Sequence, residues 1–182
     1  MSSASLPGLS GMDQTSTTLT SRFRVVEEEQ QPYVAVTGEV TMDTIPALAD
    51  RFGEVFGWLA GQGVETVGPP FFRYRVIDMD RRLVLEAGAP TATVLDGEGE
   101  VRPGVLPAGR YVTTTYLGHP ADLVQVTGDL LAWAEAQGLA FDVRPGDEGE
   151  VWGARLEWME TDPDDEPDMS RWQTRLAFRL AG

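Results

Sequence analysis

The sequence contains no cysteine and no lysine, and its only histidine is His119. Without cysteine there is no disulfide, no thiolate nucleophile and no cysteine metal site. Without lysine there is no Schiff-base chemistry and no phosphate-binding P-loop lysine. A single histidine cannot build a multi-histidine metal site. These absences exclude most common catalytic centres, and we expect neither a cofactor nor a bound metal.

The chain is also poor in positive charge, with 14 basic residues against 29 acidic ones and a formal net charge of -15. Such a surface repels a phosphate backbone or an anionic membrane, so we expect no direct nucleic-acid or membrane partner. No apolar run is long enough to cross a bilayer, and the first residues lack the pattern of a secretory signal. We therefore expect a cytoplasmic protein. A Ser/Thr-rich start predicts a disordered tail over residues 1–21 and one domain over residues 22–182.

Strand-like and helix-like segments follow one another from Phe23 onwards. Helices are predicted where apolar residues recur at three- and four-residue spacing, over residues 45–59 and 121–137. Strands are predicted where short β-branched or aromatic runs lie between Gly, Pro or Asp residues. These strands are 23–27, 33–37, 71–77, 83–87, 110–117, 140–144, 151–160 and 175–180. The order indicates an α+β fold, with an antiparallel sheet and two main helices on one of its faces.

The two halves of this region resemble each other. Residues 52–64 align with residues 127–139, which brings Trp58 opposite Trp133 and places the following Gln-Gly pairs in register. The match predicts an internal duplication of a strand-helix-strand-strand unit, with pseudo-repeats over about 22–90 and 99–182. A ligand groove is expected between the repeats. Both tryptophans lie at the edges of their helices' apolar stripes, where they either line that groove or seal the helix against the sheet.

Several segments together resemble the GyrI-like small-molecule-binding family, whose fold also serves as the effector domain of some AraC-type and MerR-type multidrug regulators. These segments are GPPFFRY at 68–74, LPAGRY at 106–111, LAWAEAQGL at 131–139, LEWMETDP at 156–163 and WQTRL at 172–176. The resemblance covers about residues 23–180. The chain departs from the family pattern at His119, before the second helix, and at Met159, where the family often has tyrosine.

The resemblance implies that Glu157, five residues before an Asp-Pro turn, points into the groove and is the electrostatic partner of bound ligands. Alternation along the predicted strand 151–160 places Arg155, Glu157 and Met159 on one face and the even-numbered residues 152–158 on the other. The alternative is a solvated Glu157 paired with Arg155 or with Arg175 on a neighbouring strand.

The remaining candidate ligand-binding residues are aromatic side chains and residues near the matched segments. Tyr74 either donates a hydrogen bond to a ligand or closes an edge of the sheet, and Phe71 is either groove wall or core. His119 is expected first as a turn residue at the start of the helix, because no partner orients it as a base. The full candidate set is Glu157, Tyr74, Trp133, Trp58, Phe71, Tyr111, His119 and Met159.

The leading hypothesis for function is a stand-alone, monomeric receptor or sequestering protein for hydrophobic, cationic aromatic molecules, with Glu157 supplying the charge. The resemblance also admits an enzyme, since some GyrI-like proteins hydrolyse strained cyclopropane-bearing DNA-alkylating natural products. Glu157 is then the general base and Tyr74 the acid. A third hypothesis is a gyrase-type protein inhibitor that acts through the acidic segment 160–168.

Overall fold

The computed structural model describes residues 22–182, and the predicted disordered tail at 1–21 lies outside these residues. The described chain forms a curled antiparallel sheet, a half-barrel, with helices on one face. The strands are β1 (Arg24–Glu28), β2 (Gln31–Val40), β3 (Phe71–Asp78), β4 (Arg82–Pro90), β5 (Arg102–Leu106), β6 (Gly109–Leu117), β7 (Val143–Gly146), β8 (Gly149–Trp152), β9 (Arg155–Met159) and β10 (Gln173–Arg179). The helices are α1 (Ile45–Ala49), α2 (Phe52–Gln62) and α3 (Leu123–Ala136), the last preceded by a 3₁₀ turn at Pro120–Asp122. The predicted α+β class is confirmed.

The strand order is symmetric about the junction of β9 and β3. The sheet runs β1-β6-β10-β9-β3-β4-β2-β5, and β7 and β8 form a short hairpin attached to β3. Strand β1 precedes β2 in the chain but pairs with β6, while β5 precedes β6 but pairs with β2. Two copies of a unit with two strands, a helical segment and two further strands would produce this order if they exchanged their first strands, β1 and β5. The internal duplication itself stays a prediction.

The two long helices end in the same way. Gly63 follows α2 with φ +69°, and Gly138 follows α3 with φ +74°. Beyond each glycine the next residue donates a backbone hydrogen bond into the last turn, from Val64 to Leu59 and from Leu139 to Ala134. A glycine suits this position because the left-handed conformation is strained for other residues.

The sheet has a helical face and a far face, with a separate apolar cluster on each. α2 packs on β2 and β4, and α3 packs on β6. Strands β3, β9 and β10 lie between the strands that the two helices cover, and we call their helical face the floor. Buried residues of the helical-face cluster include Val34, Val36, Val55, Leu59, Phe72, Tyr74, Leu130, Leu176 and Phe178. The far-face cluster contains Tyr33, Ala35, Phe71, Leu106, Tyr111, Ala154, Leu156, Trp158 and Ala177.

The single helix predicted over residues 45–59 is wrong, because the chain bends between α1 and α2. The backbone N–H of Arg51 donates to the Leu48 carbonyl at 2.9 Å. This hydrogen bond spans three residues instead of the four of a regular α-helix, so the turn is tighter and α1 ends there. The bend lets Leu48 pack against Gly38 of β2 while α2 runs over β2 and β4.

The single strand predicted over residues 151–160 is also interrupted. The Gly153 backbone N–H donates to the Asp142 carbonyl at 2.8 Å, outside the ladder, and β9 begins only at Arg155. Trp152 therefore joins the helical-face cluster while Leu156 joins the far-face cluster, so the prediction that they share a face is wrong. Strand β5 was not predicted, since its five residues include a proline and a glycine.

Within residues 22–182 no helix combines the length and the apolarity that a membrane span requires. The longest, α3, has 14 residues and buries one side only, through Val126, Leu130 and Ala134.

Gly88→Ala is expected to destabilise the fold by about 1–3 kcal/mol, because overpacking a filled core forces its neighbours to move. A Cβ at Gly88 would lie 2.9 Å from the ring of Phe71, which is fully buried on the far face. Gly128→Ala in α3 is the control: its Cβ meets nothing within 4 Å. That change is expected to stabilise the protein by about 0.5–1 kcal/mol. Urea unfolding of both variants measures the difference, and equal stabilities would contradict the packing described here.

Candidate functional site

Glu157 lies at the middle of the floor. Its strand β9 is flanked by β3 and β10, where Phe72 and Leu176 are its direct partners in register. Both partners belong to the helical-face cluster, so the Glu157 side chain projects toward the space between α2 and α3. The residue is partly buried there. Strand alternation alone, counted from Leu156 on the far face, accounts for this orientation.

Tyr74 is the hydrogen-bond partner of Glu157. Its hydroxyl donates to Glu157 Oε1 at 2.9 Å across the β3–β9 pair, and the tyrosine is 9% exposed. Arg175 instead pairs through Nε with Glu160 at 3.0 Å. Among residues 22–182, no guanidinium nitrogen lies within 4.0 Å of the Glu157 carboxylate. The alternative of a Glu157 ion pair with Arg155 or Arg175 is therefore wrong.

The surroundings of this pair disfavour negative charge. Burial raises the pKa of Glu157 above its ordinary value, and the hydrogen bond from Tyr74 and the charge of Arg155 oppose that rise only in part. Burial and the neighbouring Glu157 hold the pKa of Tyr74 well above the ordinary value of a phenol. Tyr74 thus stays a protonated donor while Glu157 is a desolvated acceptor.

Arg155 stands beside Glu157 on the same face of β9. Its guanidinium carbon lies 4.7 Å from the ring centre of Phe178, 4.8 Å from that of Trp152 and 5.5 Å from that of Tyr74. All of these rings belong to the helical-face cluster. Burial lowers the pKa of Arg155 below its ordinary value. We call the rings of Tyr74, Trp152 and Phe178 the aromatic cage.

Three further candidates border the helical face. Trp58 of α2 and Trp133 of α3 are partly buried against the helical-face cluster, as is Met159 of β9. The Trp58 indole N–H donates to Glu98 at 3.0 Å. The Trp133 ring lies 5.8 Å from that of Phe23, and its buried indole nitrogen has no hydrogen-bond partner among the described residues. Each tryptophan thus packs its helix against the cluster near the sides of the floor.

Phe71, Tyr111 and His119 are not brought to Glu157. Phe71 and Tyr111 lie in the far-face cluster, because strand alternation turns their side chains away from the helices. The Tyr111 hydroxyl donates a hydrogen bond to the Pro107 carbonyl at 2.6 Å. His119 is exposed at the start of the 3₁₀ turn before α3, where its Nδ1 accepts the Ala121 backbone N–H at 3.0 Å. The structure places it as a turn residue, and we leave these three out of the site.

Sequence reasoning missed the other aromatic residues of the floor. Phe72 faces the helices, and its ring lies 5.2 Å from that of Phe52 at the start of α2. Phe178 contributes to the aromatic cage from β10. Phe72 lies two residues before Tyr74, so strand alternation places both side chains on the same face, and the sequence was enough to predict this.

A separate open depression of about 600 Å³ lies at the end of α2 and contains neither Glu157 nor Tyr74. Its lining residues are Phe56, Leu59, Ala60, Gly63, Val64, Glu65 and Thr66. We take the floor rather than this depression as the site, because the depression has no buried charged group to recognise a ligand.

The acidic segment 160–168 has a local structural role. The Asp162 carboxylate accepts the Asp164 backbone N–H at 2.9 Å, and Asp168 accepts that of Ser170 at 3.0 Å, so both close turns. In the described part of the chain no group of three or more His, Asp or Glu residues is arranged to hold a metal ion.

Comparison with known proteins identifies the family of the chain. The sequence matches the GyrI-like small molecule binding domain over residues 21–150. The chain belongs to this family. The match covers α1, α2, α3 and the strands up to the start of β8, and ends before Glu157. No curated protein matches the sequence.

Solved structures of low sequence identity share the fold of this GyrI-like chain. EcmrR in its DNA complex aligns with TM-score 0.69 and 15% identity, over 94% of this chain and 64% of EcmrR. SAV2435 bound to tetraphenylphosphonium aligns with TM-score 0.60 and 9% identity, over 88% of this chain and 94% of SAV2435. A hydrolase from Listeria innocua aligns with TM-score 0.61 and 13% identity, over 88% of this chain and 92% of the hydrolase. The present chain therefore spans less than two thirds of the EcmrR chain.

Glu157→Gln is expected to stabilise the fold at neutral pH and to have a smaller effect in acid. Because the folded pKa of Glu157 is raised, the folded state binds more protons than the unfolded state between the two pKa values, and stability falls as pH rises through that window. The penalty is absent below the unfolded pKa of about 4.3 and complete above the folded one.

Urea unfolding of Glu157→Gln on either side of this window makes the comparison. Glu27→Gln, at an exposed position of β1, removes the same formal charge and serves as the control. An identical pH dependence in the two variants would contradict the desolvation of Glu157.

Proposed function

We propose that this chain binds hydrophobic aromatic small molecules on the floor between α2 and α3, and that Glu157 attracts the positively charged or hydrogen-bond-donating part of the ligand. One observation carries the proposal: a partly buried carboxylate of raised pKa lies at the centre of the sheet with a hydrogen bond from Tyr74 and no ion pair among the described residues. Such a group gains when a ligand supplies charge or donors in place of the water that burial has removed.

The carboxylate has acceptor capacity to spare. Two carboxylate oxygens accept about four hydrogen bonds in total, and the Tyr74 hydroxyl uses one of these positions at Oε1. A donor or a cation that approaches from the helical side thus meets free lone pairs. Phe52 and Phe72 supply flat apolar surface beside them, which suits planar rings and contributes through burial and ring contacts.

The family and one structural neighbour support this choice of ligand class. The family is that of a small-molecule-binding domain, and the solved structure of SAV2435 contains tetraphenylphosphonium, a hydrophobic aromatic cation. We extend this ligand class to the present chain because Glu157 offers the negative charge that such a cation requires.

Glu157→Gln is expected to weaken the binding of tetraphenylphosphonium by about tenfold or more, about 1.4 kcal/mol, since it removes the charge and keeps the shape. Isothermal titration calorimetry measures both affinities. The matched control is Glu160→Gln, which removes the same charge from an exposed position three residues along the chain. Equal losses of affinity in the two variants would indicate that the net charge of the protein, and not contact with Glu157, attracts the cation. If the unmodified protein does not bind tetraphenylphosphonium, the chain is not a receptor for such cations.

A hydrolytic activity is the second candidate, favoured by the 2.9 Å contact between a protonated phenol and a carboxylate of raised pKa. Glu157 would take a proton from water as the water oxygen attacks a strained carbon. The electrons of the broken carbon–carbon bond would pass to a conjugated carbonyl, whose oxygen takes the Tyr74 proton. The raised pKa of Glu157 makes it a stronger base than an ordinary carboxylate.

Incubation with a cyclopropane-bearing alkylating compound tests this activity, with mass spectrometry of the product. Turnover predicts addition of one water, its loss in Glu157→Gln, and a slower reaction in Tyr74→Phe, which lacks the proton donor. If the unmodified protein forms product no faster than the Glu157→Gln variant, the hydrolytic activity is ruled out and ligand binding remains as the proposed function.

A further inference from the structure

The aromatic cage already holds a cation that belongs to the protein. The Arg155 guanidinium carbon lies within 4.7–5.5 Å of the ring centres of Phe178, Trp152 and Tyr74. Within residues 22–182 it has no carboxylate closer than 4.0 Å and no side-chain hydrogen bond. It is thus held by ring faces rather than by an ion pair.

The cage and Glu157 are parts of one site, because Tyr74 belongs to both. The Tyr74 hydroxyl donates to Glu157 while its ring faces Arg155. A flat or delocalised cation that approached Glu157 from the helical side would be drawn to the same rings, since several aromatic faces around one position form a recognised cation-binding arrangement. That position is occupied by the Arg155 side chain.

We propose that Arg155 is a specificity-determining residue that acts as an internal competitor for cationic ligands. It fills the aromatic cage and partly balances the charge of Glu157, so the site binds aromatic cations less tightly than Glu157 alone would allow. This inference rests on the proposed function and deepens it: the floor binds hydrophobic aromatic molecules, and Arg155 sets how strongly cationic ones are favoured over uncharged ones.

The charge of the site follows from these two side chains. Glu157 is the acceptor and Arg155 the cation on the same strand face, and their opposite charges each shift the other's pKa toward the ionised state. A monovalent cation on the floor is therefore attracted by one group and repelled by the other. An uncharged ligand pays no such repulsion, and its donor group still reaches Glu157.

A purely structural Arg155 would leave a different signature. If its aliphatic stem only packs against the cage, then its replacement changes stability and shifts the affinities for charged and uncharged ligands together. The discriminating quantity is the ratio of affinities for a cationic and an uncharged probe of similar shape.

The experiment compares tetraphenylphosphonium with uncharged triphenylphosphine oxide by calorimetric titration. Arg155→Met removes the charge and keeps a long apolar side chain, and Arg155→Gln is a second variant that keeps a polar group. The matched control is Arg175→Met. The Arg175 guanidinium carbon also lies over a tryptophan, 5.0 Å from the ring centre of Trp158, but this ring belongs to the far-face cluster and Arg175 forms an ion pair with Glu160.

Both Arg155 variants are expected to bind tetraphenylphosphonium about tenfold more tightly than the unmodified protein and to change the affinity for triphenylphosphine oxide by less than about threefold. Arg175→Met is expected to change neither affinity by more than about twofold.

Three results would overturn the inference. If the unmodified protein binds tetraphenylphosphonium and the Arg155 variants bind it no better, Arg155 is not a competitor, although the proposed function stands. If Arg175→Met tightens cation binding equally, the effect comes from net charge. If neither the unmodified protein nor any variant binds either probe, the inference and the proposed function fail together.

Discussion

A carboxylate in the middle of a β-sheet is stable only if something replaces the water it has lost, and here the Tyr74 hydroxyl does so for Glu157 at 2.9 Å. One hydrogen bond is an incomplete replacement, which is why burial still raises the pKa of Glu157. The unsatisfied remainder gives the floor its chemical character, because Glu157 keeps acceptor positions that Tyr74 does not use. The ligand binding that we propose, and the alternative proton transfer, both depend on these positions.

The sheet order puts this pair between the two long helices. α2 packs on β2 and β4 and α3 on β6, so β3, which carries Tyr74, and β9, which carries Glu157 and Arg155, lie between the strands that the helices cover. The aromatic cage then adds the protein's own cation to the site. The floor thus combines one acceptor, one cation and several flat apolar side chains, and the selectivity that we propose depends on the balance of the two charges.

The sequence allowed the fold class and the second long helix to be predicted, because these follow from local periodicity, and strand alternation placed Arg155 and Glu157 on one face of their strand. That this face is the helical one was only implied by the family resemblance. The sequence did not reveal the bend at Arg51, since the apolar repeat continues through it. The interruption at Gly153 was equally hidden, and it moved Trp152 to the opposite face from Leu156. Phe71 was predicted as either groove wall or core, although its spacing of three residues from Tyr74 already turns the two side chains to opposite faces of the strand. The cage around Arg155 depends on the register of separate strands, which the sequence alone does not show.

A crystal structure of the protein with tetraphenylphosphonium is the most direct test of whether ligands bind on the floor at Glu157. We expect the ligand between α2 and α3, with a phenyl ring against Phe72 and the phosphonium centre on the side of Glu157. A ligand seated instead in the depression at Phe56 and Val64 would contradict it.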